Sequence, residues 1–171
     1  MNLKKMVMLV ALITACGAYA EENILKSSAV SAEHGWDHFQ HQNLSDAGGK
    51  VEFSEGKIVC VIPAAADKKD NWLQLFKMVD LQSGDRYVLK FTIESEGTGK
   101  VTIGYVQCMA PYTWFASSTV KLLPGENTYT TEFSVKKEKG NNADSACKLD
   151  FLLGNLTGKV TISDVSLEKK I

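Results

Sequence analysis

The stretch DNWLQLF, residues 70 to 76, sets two rings and an amide at alternate positions. Read as a strand, it turns Trp72, Gln74 and Phe76 to one face and Leu73 and Leu75 to the other, because strand side chains alternate with period two. The leucine face packs in a core. The opposite face carries apolar bulk together with a hydrogen-bonding amide, which is more than packing alone requires. A second concentration of chemistry lies in EHGWDHFQHQ, residues 33 to 42, which holds His34, His38 and His41. On a helix this i, i+4, i+7 spacing would gather three imidazoles on one side and suggest a transition metal, but Gly35 interrupts the segment.

Catalytic patterns are missing. Glycosidase chemistry needs paired carboxylates, and covalent catalysis needs a nucleophile with its base. The acids here fall in turns or singly on strands, and no GxSxG, HExxH or glycine-rich phosphate loop occurs. Beyond the first twenty residues the cysteines are Cys60, Cys108 and Cys147. Cys60 shares its phase with Ile58 and Ile62, and Cys147 with Leu149 and Phe151, so both point to a core. Two readings follow: a Cys60–Cys147 disulfide, or buried unpaired thiols acting as small apolar groups. No CxxC pair indicates zinc or redox work.

The elements that must position these residues are strands. After residue 20 the sequence is a series of short alternating runs separated by DAGG, SEGK, QSGDR, EGTG, LPGEN, KGNNAD and NLTG, where Gly, Asn and Asp permit tight reversal. Strands are expected at 50–54, 57–63, 71–79, 86–95, 100–108, 117–123, 128–135, 147–154 and 159–168. Tyr87, Leu89, Phe91 and Ile93 point one way, as do Val160 and Ile162, and these are core faces. About nine strands with no supporting helices predict an all-β fold, a two-sheet antiparallel β-sandwich of jelly-roll type.

The chain is 171 residues long, 44% apolar and 9% aromatic, enough for one packed domain. Lys4 and Lys5 precede the apolar run MVMLVALITACGAYA, which reads as a signal peptide over residues 1–20 and is too short for a permanent span. Cleavage after AYA would leave Glu21 first, with a domain at 21–171. Alternatively ITAC resembles a bacterial lipobox, which would make Cys16 a lipidated N-terminus. The protein is thus expected outside the cytoplasm, either secreted or periplasmic, or as an outer-membrane or cell-surface lipoprotein. Without the two leading lysines, 17 basic residues face 20 acidic ones, a balance that speaks against nucleic-acid binding. A monomer is expected, touching membrane only through an anchor at Cys16.

The order of several motifs carries a resemblance. They are GW at 35–36, GKIVCVIPA at 56–64, NWLQL at 71–75, LQSGDRYVLKFTI at 81–93, QCMAPYTWF at 107–115, TYTTEF at 128–133, LDFLLG at 149–154 and ISDVSL at 162–167. Together they resemble the CenC-type carbohydrate-binding modules of families 4 and 9, β-sandwich jelly rolls appended to secreted glycoside hydrolases. The resemblance implies noncatalytic binding of one polysaccharide chain, such as a β-glucan or xylan, in a cleft across the concave sheet. Rings would stack on sugar faces and amides would bond hydroxyls.

The same resemblance implies site residues. Trp72, Gln74 and Phe76 would face the groove, and the proline-tyrosine pair makes Tyr112 a groove aromatic. Opposite phase allows only one of Trp114 and Phe115 on the ligand side, and Gln107 reaches the cleft only if its strand is bulged. By the resemblance, family amides are replaced at Lys77, Cys108 and Leu152, which argues against cellulose specificity, while Lys77, Lys148 and Asp150 would suit a charged glycan. The resemblance also implies a structural calcium on Asp164 with the carbonyl of Gly56. It makes the histidine segment a loop leading into a strand, with His38 and His41 facing opposite ways. The competing reading is a lipid-anchored protein-interaction domain on the same fold, recognisable by a broad apolar patch.

Overall fold

The computed structural model describes residues 22–64, 68–137 and 145–170; the expected signal segment, Cys16 included, lies outside them. Ten strands form two antiparallel five-stranded sheets. The front sheet has the order β1(Trp36–Gln40), β4(Leu73–Met78), β9(Cys147–Leu152), β6(Gly99–Gln107), β7(Trp114–Leu122). The back sheet has the order β2(Lys50–Ser54), β3(Lys57–Ile62), β10(Gly158–Lys170), β5(Arg86–Ser95), β8(Gly125–Ser134). Most successive strands change sheets, which is jelly-roll connectivity.

The alternation seen in the sequence builds the core. Tyr87, Leu89, Phe91 and Ile93 of β5 are buried, as are Val160 and Ile162 of β10. Across the gap Phe151 meets Phe91 edge-on with centroids 5.3 Å apart, and Trp36 packs on its other side at 6.0 Å. Burying one such ring contributes about 2 to 3 kcal/mol, so the Phe91–Phe151–Trp36 cluster holds the sheets together near the middle of the front sheet.

Several local features bear out or refine the expectation. Trp36 opens a strand, β1, at the sheet edge, and a short helix α1(Gln42–Asp46) follows it, capped by the His41 ring accepting from the Asn43 amide at 3.2 Å. Strand β4 begins at Leu73, because Asp70–Trp72 form a 3-10 turn. Strands β7 and β8 each begin three residues earlier than expected, at Trp114 and Gly125. Cys60 and Cys147 both face the core, as their phase indicated, but no bond joins them: among the described residues Cys60, Cys108 and Cys147 form no disulfide.

Candidate binding cleft

Strand register aligns side chains in rows across the outer face of the front sheet. Phe39, Gln74 and Leu152 lie abreast on β1, β4 and β9. Phe76, Asp150 and Gly104 form the next row across β4, β9 and β6, and Lys148, Val106 and Trp114 the third across β9, β6 and β7. Apart from Gly104, these residues line an open cleft of about 510 Å³ with Asn71 and Tyr112 from flanking loops.

Trp114 owes its place to a bulge. Outward-facing Ser117 is opposite Gly104, so plain alternation would send Phe115 outward and Trp114 into the core. The pairing instead steps from Tyr105 opposite Ala116 to Val106 opposite Trp114, so β7 carries one extra residue at this point. Phe115 is therefore buried beside Tyr105, and Trp114 emerges in the cleft, 45% exposed. Gly104 lets the indole lie down on the sheet: a Cβ there would overlap the ring, meeting Cε3 at 2.7 Å. One ring face rests on the strand and the other is open. Tyr112, 59% exposed, stands in a turn closed by its own amide donating to the Met109 carbonyl at 2.8 Å.

The floor is polar and closely tied. The Lys148 ammonium is 2.8 Å from Asp150 Oδ2, donates to Gln74 Oε1 at 2.7 Å and lies 4.5 Å from the centroid of Phe76. Gln74 Nε2 donates in turn to the Asn71 carbonyl at 2.9 Å. Asp150 is 3% exposed and its Oδ1 has no hydrogen-bond partner among the described residues. Burial pushes its carboxyl above the usual aspartate range, and the Lys148 hydrogen bond and charge oppose that rise.

The structure thus brings Gln74, Phe76, Tyr112 and Trp114 together and leaves two candidates elsewhere. Trp72 precedes the strand, so alternation does not govern it; its ring stacks on His41 at 4.7 Å and packs against the core edge. Gln107 is buried, opposite core-facing Cys147, with Nε2 donating to Ser145 Oγ at 3.1 Å. The bulge that would have freed Gln107 lies on the partner strand, not on its own. Lys77 also leaves the groove: it shares the phase of Leu73 and Leu75 and donates to the carbonyls of Leu25, at 2.9 Å, and His34. Cys108, just past β6, touches Met78 with the sulfurs 3.4 Å apart.

Phe39 and Val106 escaped the sequence reading, although both had a signal. With Trp36 inside, alternation along WDHFQ turns Phe39 outward, and Val106 shares the outward phase of Thr102 and Gly104. Asn71 lies in the 3-10 turn and had none. The three histidines are dispersed: His34 bonds Ser31 Oγ at 2.7 Å, His38 packs near Phe53, and His41 caps α1. Among the described residues no three His, Cys, Asp or Glu side chains converge on a metal-sized site.

Asp164 is exposed in a left-handed conformation at the bulge of β10, and its carboxylate accepts from Ser163 Oγ at 3.3 Å. Its neighbour Val165 donates to the Ser28 carbonyl at 2.9 Å, and the Gly56 carbonyl accepts from Val30 at 2.6 Å, so both candidates border the 28–30 segment. One carboxylate and one already engaged carbonyl are a small part of the six to eight oxygens that calcium takes.

Such a sandwich, with an aromatic-walled cleft on one sheet, has the fold of CenC-type carbohydrate-binding modules. A solved CBM4 module superposes with a TM-score of 0.62 at 20% identity, over 79% of this chain and 86% of that one. The second N-terminal cellulose-binding domain of Cellulomonas fimi β-1,4-glucanase C does so at 0.68 and 18%, over 89% and 97%. The N-terminal cellulose-binding domain of the same glucanase gives 0.57 and 19%, over 85% and 99%. No family model and no curated protein matches the chain. At these identities the likeness establishes the fold, and the ligand must be argued from this chain's own cleft.

Proposed function

We propose that the protein binds a single polysaccharide chain, of the β-glucan or xylan kind, noncovalently in the front-sheet cleft. The observation that carries this reading is Trp114, its indole laid over Gly104 with one face open beside a polar floor. A flat open ring next to hydrogen-bonding groups matches a pyranose, which offers an apolar face and a rim of hydroxyls. Tyr112 and Phe39 supply further exposed aromatic surface along the same cleft. Among the described residues the lining holds one carboxylate, Asp150, already paired with Lys148, whereas the usual glycosidase mechanism needs two. Binding without turnover is the chemistry this supports.

Each stacked sugar removes roughly 100 Å² of apolar surface from water, worth about 2.5 kcal/mol. Two such contacts with a few hydrogen bonds, less the cost of association, leave on the order of 4 to 7 kcal/mol, or roughly millimolar to ten-micromolar affinity. Multivalent contact with a polymer raises the effective strength.

Affinity electrophoresis through gels containing cellulose derivatives, xylan, mixed-linkage glucan, β-1,3-glucan or mannan tests the proposal. Retardation by at least one polymer, lost in Trp114→Ala, supports it. A folded protein that migrates freely in every gel refutes it and favours a protein-interaction role. The proposal extends to export, by cleavage after Ala20 or lipidation at Cys16, which mass spectrometry of the processed N-terminus distinguishes. It extends also to a calcium ion at Asp164, completed mainly by water and therefore weak.

A further inference from the structure

Among the described residues the cleft lining contains two charged ones, Lys148 and Asp150, and they are bonded to each other. The Lys148 ammonium is held between Asp150 Oδ2 and Gln74 Oε1 and lies over the Phe76 ring. Asp150 is the more deeply placed partner, and since its Oδ1 has no hydrogen bond, Lys148 is what balances its charge. A carboxylate on an incoming sugar could recruit Lys148 only by breaking this pair and abandoning a buried anion that already lacks one partner. That exchange is unfavourable, because a carboxylate in low dielectric without its counter-ion is far costlier than one in water. An uncharged chain makes no such demand and leaves the floor intact.

We propose that Asp150 is a specificity-determining residue: by holding Lys148 it sets the cleft for uncharged glycan chains and closes it to chains bearing carboxylates. The inference rests on the glycan-binding reading above and adds which chains that site accepts. It predicts a switch. In Asp150→Asn the side-chain carbonyl keeps its bond to Lys148 while the balancing charge is gone, so the floor carries an unbalanced positive charge that attracts an acidic polymer.

The test uses pairs of polymers with one backbone and different charge: hydroxyethyl cellulose against carboxymethyl cellulose, and unsubstituted xylan against glucuronoxylan. The wild-type protein is expected to be retarded by the uncharged member of a pair at least tenfold more strongly than by the anionic one, at low ionic strength. Asp150→Asn should raise affinity for the anionic member about tenfold and change the uncharged one less than threefold. Glu94→Gln, the same charge change on an exposed position of the back sheet, should do neither.

Equal retardation of the wild type by both members overturns the inference and leaves glycan binding standing. A folded Asp150→Asn that keeps the wild-type ratio also overturns it. Should Asp150→Asn not fold, the wild-type ratio decides together with the double variant Lys148→Met/Asp150→Leu, which removes both charges and should gain no anionic binding. Absence of retardation in every gel removes the glycan reading and this inference with it.

Discussion

Replacing Trp114 by alanine removes the open platform of the cleft while disturbing the fold little, since the ring is 45% exposed and packs mainly on the backbone of Gly104. A pyranose stacked on the free face covers roughly 100 Å² of apolar surface, so its loss costs about 2.5 kcal/mol, close to 70-fold in Kd. Calorimetry with an oligosaccharide cut from the polymer that retards the protein would read this directly. Trp114→Phe keeps a smaller platform and should lose roughly fivefold. Fluorescence gives an independent view, because Trp36 is buried in the core and Trp72 is stacked on His41. Ligand should therefore shield the wild-type emission from acrylamide, and that protection should vanish in Trp114→Phe. A Trp114→Ala protein with unchanged thermal midpoint and a Kd within threefold of wild type would refute the platform.

Gly104→Ala should weaken the same ligand on the order of tenfold without unfolding the protein, because the new methyl lifts the indole from the strand; unchanged affinity by calorimetry would mean that the ring's seat is irrelevant. Burial raises the Cys60 thiol to about 12, so at pH 8 its thiolate is on the order of one part in 10⁴. Iodoacetamide should modify the part-exposed Cys108 first and reach Cys60 only in denaturant, and recovery of a Cys60–Cys147 linked peptide would contradict this. Asp150 has a folded pKa above its unfolded value, so the folded protein holds that proton more tightly. Its contribution to stability is greatest below about pH 4 and declines as pH rises through the folded pKa. Urea midpoints of wild type relative to Asp150→Asn should fall across that window, and a difference that grows with pH would reverse the assignment. Calcium at millimolar concentration should raise the thermal midpoint of wild type and not of Asp164→Asn, whereas equal midpoints with calcium and with chelator would remove the ion from the proposal.

Local periodicity governs the part of this fold that is legible in the sequence. Tyr87, Leu89, Phe91 and Ile93 alternate without interruption, so their burial and the all-β sandwich could be read directly. Gln74 and Phe76 were legible for the same reason, opposite Leu73 and Leu75. The phase argument failed wherever the strand was interrupted. A 3-10 turn ending at Trp72 removed that residue from the alternation, and the extra residue in β7 decided which of Trp114 and Phe115, left open by phase, faces the cleft. The bulge has no local signature in TWFASS, because it is fixed by pairing with β6, whereas the 3-10 turn is closed locally by the Trp72 amide donating to the Lys69 carbonyl at 3.0 Å. Lys77 follows the alternation, on the face of Leu73 and Leu75, and only folding brings near the carbonyls of residues 25 and 34 that take its ammonium. The Lys148–Asp150 pair sits two residues apart on one strand, visible as charges in the sequence. Only the tertiary structure buries one beneath the other and bonds Lys148 to Gln74 from β4, because burial and cross-strand contact belong to the assembled sheet.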